Sequence, residues 1–318
     1  MGRASKEKHS PGHRQRIAAQ RAADRRRRGR NRLLVAGGAI FCVVAVALTL
    51  VFVGLGSKPN VTSPPADGPT GAALASLVGD LTSVPATVLE KVGTGSLSGD
   101  GVGSPSTSGS GYLGPINGTA LTSSGKPEVL YVGADFCPYC AAVRWPLIVA
   151  LSRFGTFSGL QTARSAVTNG KGQAEVYPAT PTWTFYGAKY TSKYLTFTGV
   201  ELATSTPDTK TGGYVALQSL TPAQQQVASE VDQQGSIPFI DIGGKYVQMS
   251  SLAPYGPQSL ATLTWSQIIS ALRDPSSTLA KEIDASANYL TAAFCSLTGN
   301  QPASACTPAV RALEPRLG

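Results

Sequence analysis

The sequence predicts an α/β domain behind a single N-terminal transmembrane helix. Three features lead to this prediction: an uncharged apolar run at residues 33–55, a strand-type run that leads into the motif Cys137-Pro138-Tyr139-Cys140, and an Ile237-Pro238 pair ahead of another strand-type run. The first feature predicts a membrane anchor. The other two fall inside a stretch in which strand-type and helix-type segments alternate.

The net charge of the chain is concentrated at its N-terminus. The 318 residues carry a net charge of +9, but residues 1–32 alone hold twelve Lys and Arg against Glu7 and Asp24. The other residues hold fifteen basic and sixteen acidic side chains, so the folded part is nearly neutral and a nucleic-acid-binding face is not expected. Residues 1–32 are predicted to be a basic cytoplasmic tail near the anionic inner leaflet. His9 and His13 fall in this tail and are not expected to serve as a catalytic base.

Residues 33–55 form an uncharged span that is long enough to cross a bilayer. As a helix, its 23 residues would measure about 34 Å. A cleaved signal peptide is the alternative, but it would have a shorter apolar core and a small-x-small cleavage site, which Val53-Gly54-Leu55-Gly56 matches poorly. We therefore expect an uncleaved single-pass anchor in the cell membrane. Because the positive charge precedes the span, the N-terminus is expected in the cytoplasm and the main domain outside it.

Residues 56–111 are predicted to be a linker rich in Pro, Gly and Ser that contains short helices. Within this linker, residues 71–92 have an amphipathic pattern that predicts one or two helices divided at Pro85. The remaining residues, 112–318, are assigned to the extracytoplasmic domain.

The domain at residues 112–318 contains several strand-type and helix-type segments. Runs of β-branched and aromatic residues bounded by turn residues predict strands, and apolar residues at helical spacing predict helices. Thr221-Pro222 is a helix start signal, and Gly243-Gly244 predicts the turn of a hairpin. The predicted strands cover residues 129–134, 160–167, 182–186, 194–197, 237–242 and 246–249, and the predicted helices cover residues 140–154, 222–231, 264–272 and 277–297.

The motif Cys137-Pro138-Tyr139-Cys140 is where we expect the chemistry of the chain. Cysteines three residues apart in the first turn of a helix are within reach of a disulfide, and Pro138 suits a position that needs no backbone N–H donor. The unpaired N–H groups and the dipole of the helix favour a thiolate at Cys137. Cys137 is therefore the expected nucleophile and Cys140 the resolving thiol. A permanent structural disulfide and half of a metal site are the alternatives.

The chain has three further cysteines. Cys42 falls in the predicted span, whereas Cys295 and Cys306 are separated by eleven positions near the C-terminus. The simplest expectation for this last pair is a structural disulfide that ties the last long helix to the C-terminal tail. A second redox pair that exchanges electrons with Cys137 is one alternative. A zinc site of four cysteines is the other, although the spacing does not match the usual zinc knuckles, and neither a metal nor another cofactor is expected.

Pro238 is the second feature of the expected site. It directly precedes a run that is typical of a central strand, where proline is unexpected because it cannot donate a hydrogen bond to a neighbouring strand. A cis peptide between Ile237 and Pro238 would accommodate it. The pair follows the strand–CxxC–helix unit and precedes a predicted hairpin and helix.

In this arrangement, residues 125–298 resemble the thioredoxin superfamily. The sequence of residues 129–140 is similar to that of a membrane-anchored, mostly actinobacterial thioredoxin-like group catalogued as a domain of unknown function. The resemblance to DsbA-like proteins is more distant. The resemblance implies a thioredoxin-like fold, in which helices flank a mixed central sheet that carries an insertion. It also implies that Pro238 is cis and packs against the Cys137–Cys140 pair.

The same resemblance implies how a substrate would bind. The backbone at Ile237 would pair with an extended substrate peptide, a form of strand addition. The residues assigned to substrate binding on this basis are Ile237, Pro238, Pro138 and Tyr139.

Tyr131 departs from the pattern of the wider superfamily, which places a buried acid six residues before the first cysteine. That acid is the usual proton acceptor for the second cysteine, which is Cys140 here. Asp135 and Glu128 are the nearest carboxylates that could take this role through water. A solvated surface position is nevertheless the expectation for both.

The sequence therefore predicts a membrane-anchored, extracytoplasmic thiol–disulfide oxidoreductase that acts on the cysteines of secreted or cell-envelope proteins. The expected activity is that of an oxidase, an isomerase or a reductase, and a reductase would require an electron-donating membrane protein as its redox partner. The competing interpretation is a non-catalytic thioredoxin-like binding module with structural disulfides. No nucleic-acid partner is expected in either case.

Overall fold

The computed structural model describes residues 68–97, 113–249 and 255–317. The predicted cytoplasmic tail, the predicted span at residues 33–55 and the rest of the linker lie outside the described residues. Within the described ranges, no single helix is long and apolar enough to cross a membrane. The helices Gly71–Thr82 and Ala86–Val92 meet the length and composition criteria only as a pair, which is bent by 52°.

The described ranges contain helices and strands in alternation. The helices are α1 (Gly71–Thr82), α2 (Ala86–Val92), α3 (Pro138–Ser152), α4 (Pro222–Val231), α5 (Trp265–Leu272), α6 (Thr278–Leu297) and α7 (Pro308–Arg311). The strands are β1 (Gly114–Pro115), β2 (Thr122–Ser123), β3 (Lys126–Gly133), β4 (Gly155–Ser158), β5 (Gln161–Arg164), β6 (Pro181–Thr184), β7 (Lys189–Ser192), β8 (Thr196–Glu201), β9 (Ala203–Asp208), β10 (Gly213–Ala216), β11 (Phe239–Ile242) and β12 (Tyr246–Met249).

The main sheet is mixed, and β3 lies inside it. Strand β11 pairs with β3 in the antiparallel direction and β8 pairs with it in the parallel direction. Strands β12 and β1 continue the sheet beyond β11, and β2 pairs with the first residues of β3. Three smaller sheets are each made of two strands, β4 with β7, β5 with β6, and β9 with β10. The predicted α/β class is confirmed as a mixed sheet flanked by helices.

Strand β3 and helix α3 form the buried centre of the domain. Residues 129–133 of β3 are buried on both faces, which explains why this strand is a continuous apolar run rather than an alternating one. Helix α3 is buried from Cys140 to Leu151 and packs against α6 and β6. A helix that is apolar all round belongs in a core, and this one follows directly from the central strand.

The described part of the predicted linker is packed on this core. Helices α1 and α2 are divided at Pro85, which confirms the predicted break. Helix α1 packs against α3 and α5, and α2 packs against α6. Leu81 and Leu89 are buried in the same apolar cluster as the central strand.

The remaining predicted helices and strands are found near their predicted positions, but the paired strands β4 and β7, the short strands β1 and β2, and the hairpin of β9 and β10 were not predicted. Strands β9 and β10 form a hairpin in residues 203–216, a polar stretch for which no strand was predicted. Their side chains are mostly half-buried or exposed, so they lack the apolar alternation that identifies a strand in a sequence. The predicted start of α4 is confirmed, because Thr221 and Gln224 form a capping box.

Candidate active site

The two cysteines of the motif lie at the N-terminus of α3, directly after β3. Cys137 is the N-cap residue, and its Sγ accepts a hydrogen bond from the backbone N–H of Cys140 at 3.3 Å. Pro138 occupies the first helical position, where the missing N–H costs nothing. The local sequence thus places one sulfur where the helix offers free N–H donors.

Both sulfurs carry free thiols, and the site is largely closed to solvent. Cys140 is fully buried and Cys137 is 6% exposed, whereas Tyr139 between them is 38% exposed. Pro138 is buried. Within the motif, Tyr139 is therefore the residue most exposed to solvent.

The surroundings of the two thiols push their pKa values in opposite directions. Burial raises the pKa of Cys137, but hydrogen bonds from the thiol and backbone of Cys140 and the positive charge of Arg144 together bring it below its usual value. Burial, together with the hydrogen bond to Cys137 and the charge there, raises the pKa of Cys140 well above its usual value. This polarity fits the predicted roles of Cys137 as nucleophile and Cys140 as resolving thiol.

A buried ion pair lies beside the motif, and the sequence analysis did not identify it. Arg144 Nε donates to Glu201 Oε1 at 2.9 Å and Nη2 donates to Glu201 Oε2 at 2.6 Å. Both side chains are fully buried. Burial opposes the charge of Arg144, but the neighbouring acids, Glu201 first among them, together raise its pKa. Arg144 is the only charged residue in α3, and that signal was available in the sequence.

Asp135 joins this ion pair, and its expected solvated position is wrong. It is only 2% exposed, because its backbone N–H donates to Ala203 O at 2.9 Å and ties it to the chain after β8. Its Oδ1 lies 3.6 Å from Arg144 Nη2. Burial and then the charge of Glu201 raise the pKa of Asp135 to about 7, although Arg144 acts in the opposite direction.

The other carboxylate considered from the sequence is not brought to the motif. Glu128 is half-buried near the start of β3 and accepts a hydrogen bond from the hydroxyl of Thr198. Five residues of extended strand, about 17 Å, separate it from the end of β3 that leads to Cys137. Glu128 therefore has no direct access to Cys140.

Tyr131 lies six residues before Cys137, at the position where the resemblance implied an acid. Its side chain is fully buried, and its hydroxyl has no hydrogen-bond partner in the described part of the chain. Burial raises its pKa well above the usual value, so it is neutral. The guanidinium carbon of Arg144 lies 5.6 Å from the centre of the Tyr131 ring.

The Ile237-Pro238 pair reaches the same end of the sheet as the motif. The peptide between these residues is cis, as the resemblance implies. Pro238 is buried and directly precedes β11, in which Phe239 lies opposite Val132 of β3. Antiparallel pairing therefore places Ile237-Pro238 beside the end of β3 from which the chain continues to Cys137.

Aromatic residues from the segment between β5 and β6 and from β10 contact the motif and the residue before it, and no sequence pattern predicted these contacts. The ring of Tyr177 meets that of Tyr139 edge to face at 6.4 Å between centroids. Tyr214 stacks on Phe136 at 4.1 Å. The backbone N–H of Ala166 donates to Phe136 O at 3.0 Å, which ties the segment between β5 and β6 to the residue before Cys137.

The last two cysteines form a disulfide, as predicted. Cys295 in the last turn of α6 is bonded to Cys306 ahead of α7, with a Cα–Cα distance of 5.7 Å. Because these sulfurs are bonded to each other, they do not offer thiolates to a shared zinc site. Among the residues that the structure describes, no group of three or more His, Cys, Asp or Glu is arranged to hold a metal ion.

Comparison with known proteins identifies a family for this chain. The sequence model of a family described as "Domain of unknown function (DUF929)" matches residues 113–296, which include the motif, the Arg144–Glu201 pair and Pro238. No curated protein and no solved structure matches the chain.

Proposed function

The chain belongs to the family described as a domain of unknown function (DUF929), and because that description names no activity, we propose its function from the geometry of the site. The protein is a thiol–disulfide oxidoreductase with a thioredoxin-like arrangement around Cys137 and Cys140. It is anchored in the membrane through residues 33–55 and acts outside the cytoplasm on the cysteines of secreted or cell-envelope proteins. A membrane redox partner recycles it when it works as a reductase.

One observation carries this proposal: two free thiols share the first turn of a buried helix, and their pKa values are displaced in opposite directions. Cys137 Sγ accepts the N–H of Cys140, and its pKa is lowered despite burial. A pair of purely structural cysteines has no need of this asymmetry. A nucleophile and a resolving thiol require this difference in pKa, because Cys137 must be a thiolate before it attacks, whereas Cys140 must remain protonated until the mixed disulfide has formed.

The reaction follows from this polarity. The Cys137 thiolate attacks one sulfur of a substrate disulfide, a Cys137–substrate disulfide forms, and the other substrate sulfur leaves as a thiolate. Cys140 then loses its proton and attacks Cys137, so that a Cys137–Cys140 disulfide forms and the second substrate thiolate leaves. The substrate gains two electrons and the enzyme loses two. The same steps in reverse oxidise a substrate dithiol.

The arrangement around the motif supports an extended polypeptide as substrate. Ile237 is half-buried and Tyr139 is exposed, while Pro138 and Pro238 are buried. A strand-like substrate would pair with the backbone at Ile237 and bring its disulfide to Cys137. Because Tyr131 is neutral and buried, it does not serve as the proton acceptor for Cys140, and another group takes that proton.

Two measurements on the full-length protein in detergent test this function. The reduction potential of the Cys137–Cys140 pair should fall between about −120 and −270 mV, the range of working oxidoreductases. Cys140→Ser should accumulate mixed disulfides with extracytoplasmic proteins in cells, because the first attack remains and the resolving step is lost. The Cys137→Ser/Cys140→Ser variant is the matched control and should accumulate none.

A second candidate function, a non-catalytic binding module with structural disulfides, is favoured by the low exposure of Cys137, which is 6%. In that case the Cys137–Cys140 pair would be permanently oxidised and have a potential below about −300 mV. Such a potential, together with no turnover of a model disulfide, would replace the enzyme proposal with this one.

A further inference from the structure

Arg144 is an exception in its helix. Helix α3 is apolar on every side, yet Arg144 is fully buried within it and held by two hydrogen bonds to Glu201 of β8. A buried ion pair of this kind contributes little net stability, because the cost of removing both charges from water offsets their attraction. Its presence in the core therefore calls for a role other than stability.

The guanidinium retains a free donor group. Nη1 of Arg144 is buried and has no hydrogen-bond partner in the part of the chain that the structure describes. Glu201 neutralises one edge of the guanidinium through Nε and Nη2, and the remaining edge keeps positive character. A buried positive group that lacks a hydrogen-bond partner exerts a strong field on its neighbours, because little water screens it.

The position of Arg144 in α3 brings its positive charge close to the motif. Arg144 follows Cys140 by one helical turn, so the two side chains lie on the same face of α3. The charge of Arg144 also acts to lower the pKa of both thiols, although burial and the coupling between the two sulfurs act more strongly on each. The guanidinium is thus the positive charge that the core places next to the reacting sulfurs.

We propose that Arg144 is a positioning residue of this redox site: it supplies the buried positive charge that stabilises the Cys137 thiolate, and Glu201 holds it in place. Asp135 sets the net effect by gaining or losing a proton 3.6 Å from the guanidinium. This inference rests on the proposed function, since it explains how that site keeps its nucleophile charged.

The role of Asp135 follows from a count of charges. With Asp135 protonated, the cluster of Asp135, Arg144 and Glu201 has no net charge; with Asp135 ionised, its net charge is −1. Because a negative cluster disfavours a nearby thiolate, the cluster favours the Cys137 thiolate more while Asp135 holds its proton than after Asp135 ionises. The other titratable groups that face this cluster are Tyr131 from β3 and Cys137 and Cys140 from the start of α3.

The first test removes the ion pair as a unit in the full-length protein. Arg144→Met/Glu201→Gln removes both charges of this pair, so the fold is retained more readily than with Arg144→Met alone, which would leave the Glu201 carboxylate without its cation. The pH profile of Cys137 alkylation should move up by about one unit, which is a tenfold lower rate near pH 6. The equilibrium with glutathione should shift about tenfold towards the disulfide form, or about 30 mV.

Arg153→Met is the matched control. Arg153 directly follows α3, and it donates to Ala305 O and to side chains of α6. Its loss should lower stability and leave both the Cys137 profile and the potential as they are. An alkylation profile and potential that remain at the parent values in Arg144→Met/Glu201→Gln would overturn the inference.

A second variant tests the same inference without disturbing the packing. Asp135→Asn keeps the shape of the side chain and fixes the cluster at zero net charge. At pH 8 the potential should rise by about 30 mV, equal to a tenfold shift towards the dithiol, and near pH 5.5 it should match the parent. If Asp135→Asn had the same potential as the parent at both pH values, the inference would be overturned. An inert parent with a potential below about −300 mV would instead remove the proposed function itself.

Discussion

The hydroxyl of Tyr131 fills the space that a side chain at Gly133 would need. A Cβ built on Gly133 would stand 2.1 Å from Tyr131 Oη and 2.5 Å from Cζ. The two residues lie on the same face of β3, because side chains two apart in a strand point to the same side. Next to the motif, the central strand thus combines one large residue with one that has no side chain.

Gly133→Ala is expected to lower the free energy of unfolding by about 1–3 kcal/mol, because a rigid, buried ring cannot move away from the new methyl group. Denaturant titration measures this loss. Gly79→Ala in α1 is the matched control, since nothing lies within 4 Å of its Cβ position, and it should stabilise slightly. Tyr131→Leu/Gly133→Ala should cost less than the sum of the single variants; a strictly additive result would contradict the proposed clash.

Asp284 lies in the middle of α6 with its side chain fully buried. Neither of its carboxylate oxygens has a hydrogen-bond partner within the described ranges, and burial raises its pKa to about 8. The folded state therefore keeps a proton that the unfolded chain releases near pH 4. The resulting stability is complete below about pH 4 and is lost as the pH rises towards 8.

Asp284→Asn should remove this pH dependence and raise the free energy of unfolding at pH 8 by about 1–3 kcal/mol relative to the parent. Denaturant titration at pH 5 and pH 8 measures both effects. Glu230→Gln, which changes an exposed carboxylate in α4, is the control and should leave the pH dependence as it is. If the parent were as stable at pH 8 as at pH 5, Asp284 would not carry a buried proton.

The parts of this site that the sequence predicted are local in the chain. The strand before Cys137, the helix after it and the hairpin after Pro238 each have their own periodicity or turn residues, and each was found in place. The pairing of β11 with β3 then brings Pro238 to the motif. Pro238 was recognised because proline before a central strand is a local anomaly that a sequence displays directly.

The parts that the sequence did not predict depend on contacts between distant residues. Arg144 and Glu201 are 57 residues apart, and the parallel pairing of β3 with β8 brings them together. Asp135 was expected at the surface because nothing nearby in the sequence indicates the backbone of Ala203 that buries it. A charged residue in an otherwise apolar helix, such as Arg144, is the signal that a sequence does offer for a buried ion pair.

Asn288 joins α6 to the segment around α2. Its Nδ2 donates to Leu89 O at 2.8 Å and to Gly93 O at 2.9 Å, and its Oδ1 accepts from Arg153 Nη1 at 3.3 Å. Asn288→Ala should lower the free energy of unfolding by about 1–3 kcal/mol, because it removes the side-chain donor to the carbonyls of Leu89 and Gly93 and the acceptor of Arg153.

Hydrogen exchange tests the role of Asn288 more specifically than stability does, because it reports on α2 alone. Amides of α2 should exchange faster in Asn288→Ala, since this contact helps to hold α2 against α6. Gln225→Ala on the exposed face of α4 is the control and should change neither stability nor exchange. Unaltered exchange in α2 would mean that its apolar contacts alone hold it in place.

The Cys295–Cys306 disulfide connects α6 to the C-terminal segment across a sequence separation of 11 residues. Cross-linking stabilises mainly by restricting the unfolded chain, so Cys295→Ala/Cys306→Ala should lower the free energy of unfolding by about 2–4 kcal/mol. If the disulfide is structural, the rate of Cys137 alkylation and the turnover of a model disulfide should match the parent at temperatures where both proteins are folded.

The variant also decides between the two roles considered for this pair. A redox relay would give a different result: turnover would fall at least tenfold while Cys137 alkylation kept its parent rate, because electrons could no longer pass through Cys295 and Cys306. Cys137→Ser/Cys140→Ser, which retains only the second pair in the domain, is the control for direct reaction of that pair with the model disulfide. Since Cys295 is fully buried, we expect this control to be inert and the structural role to hold.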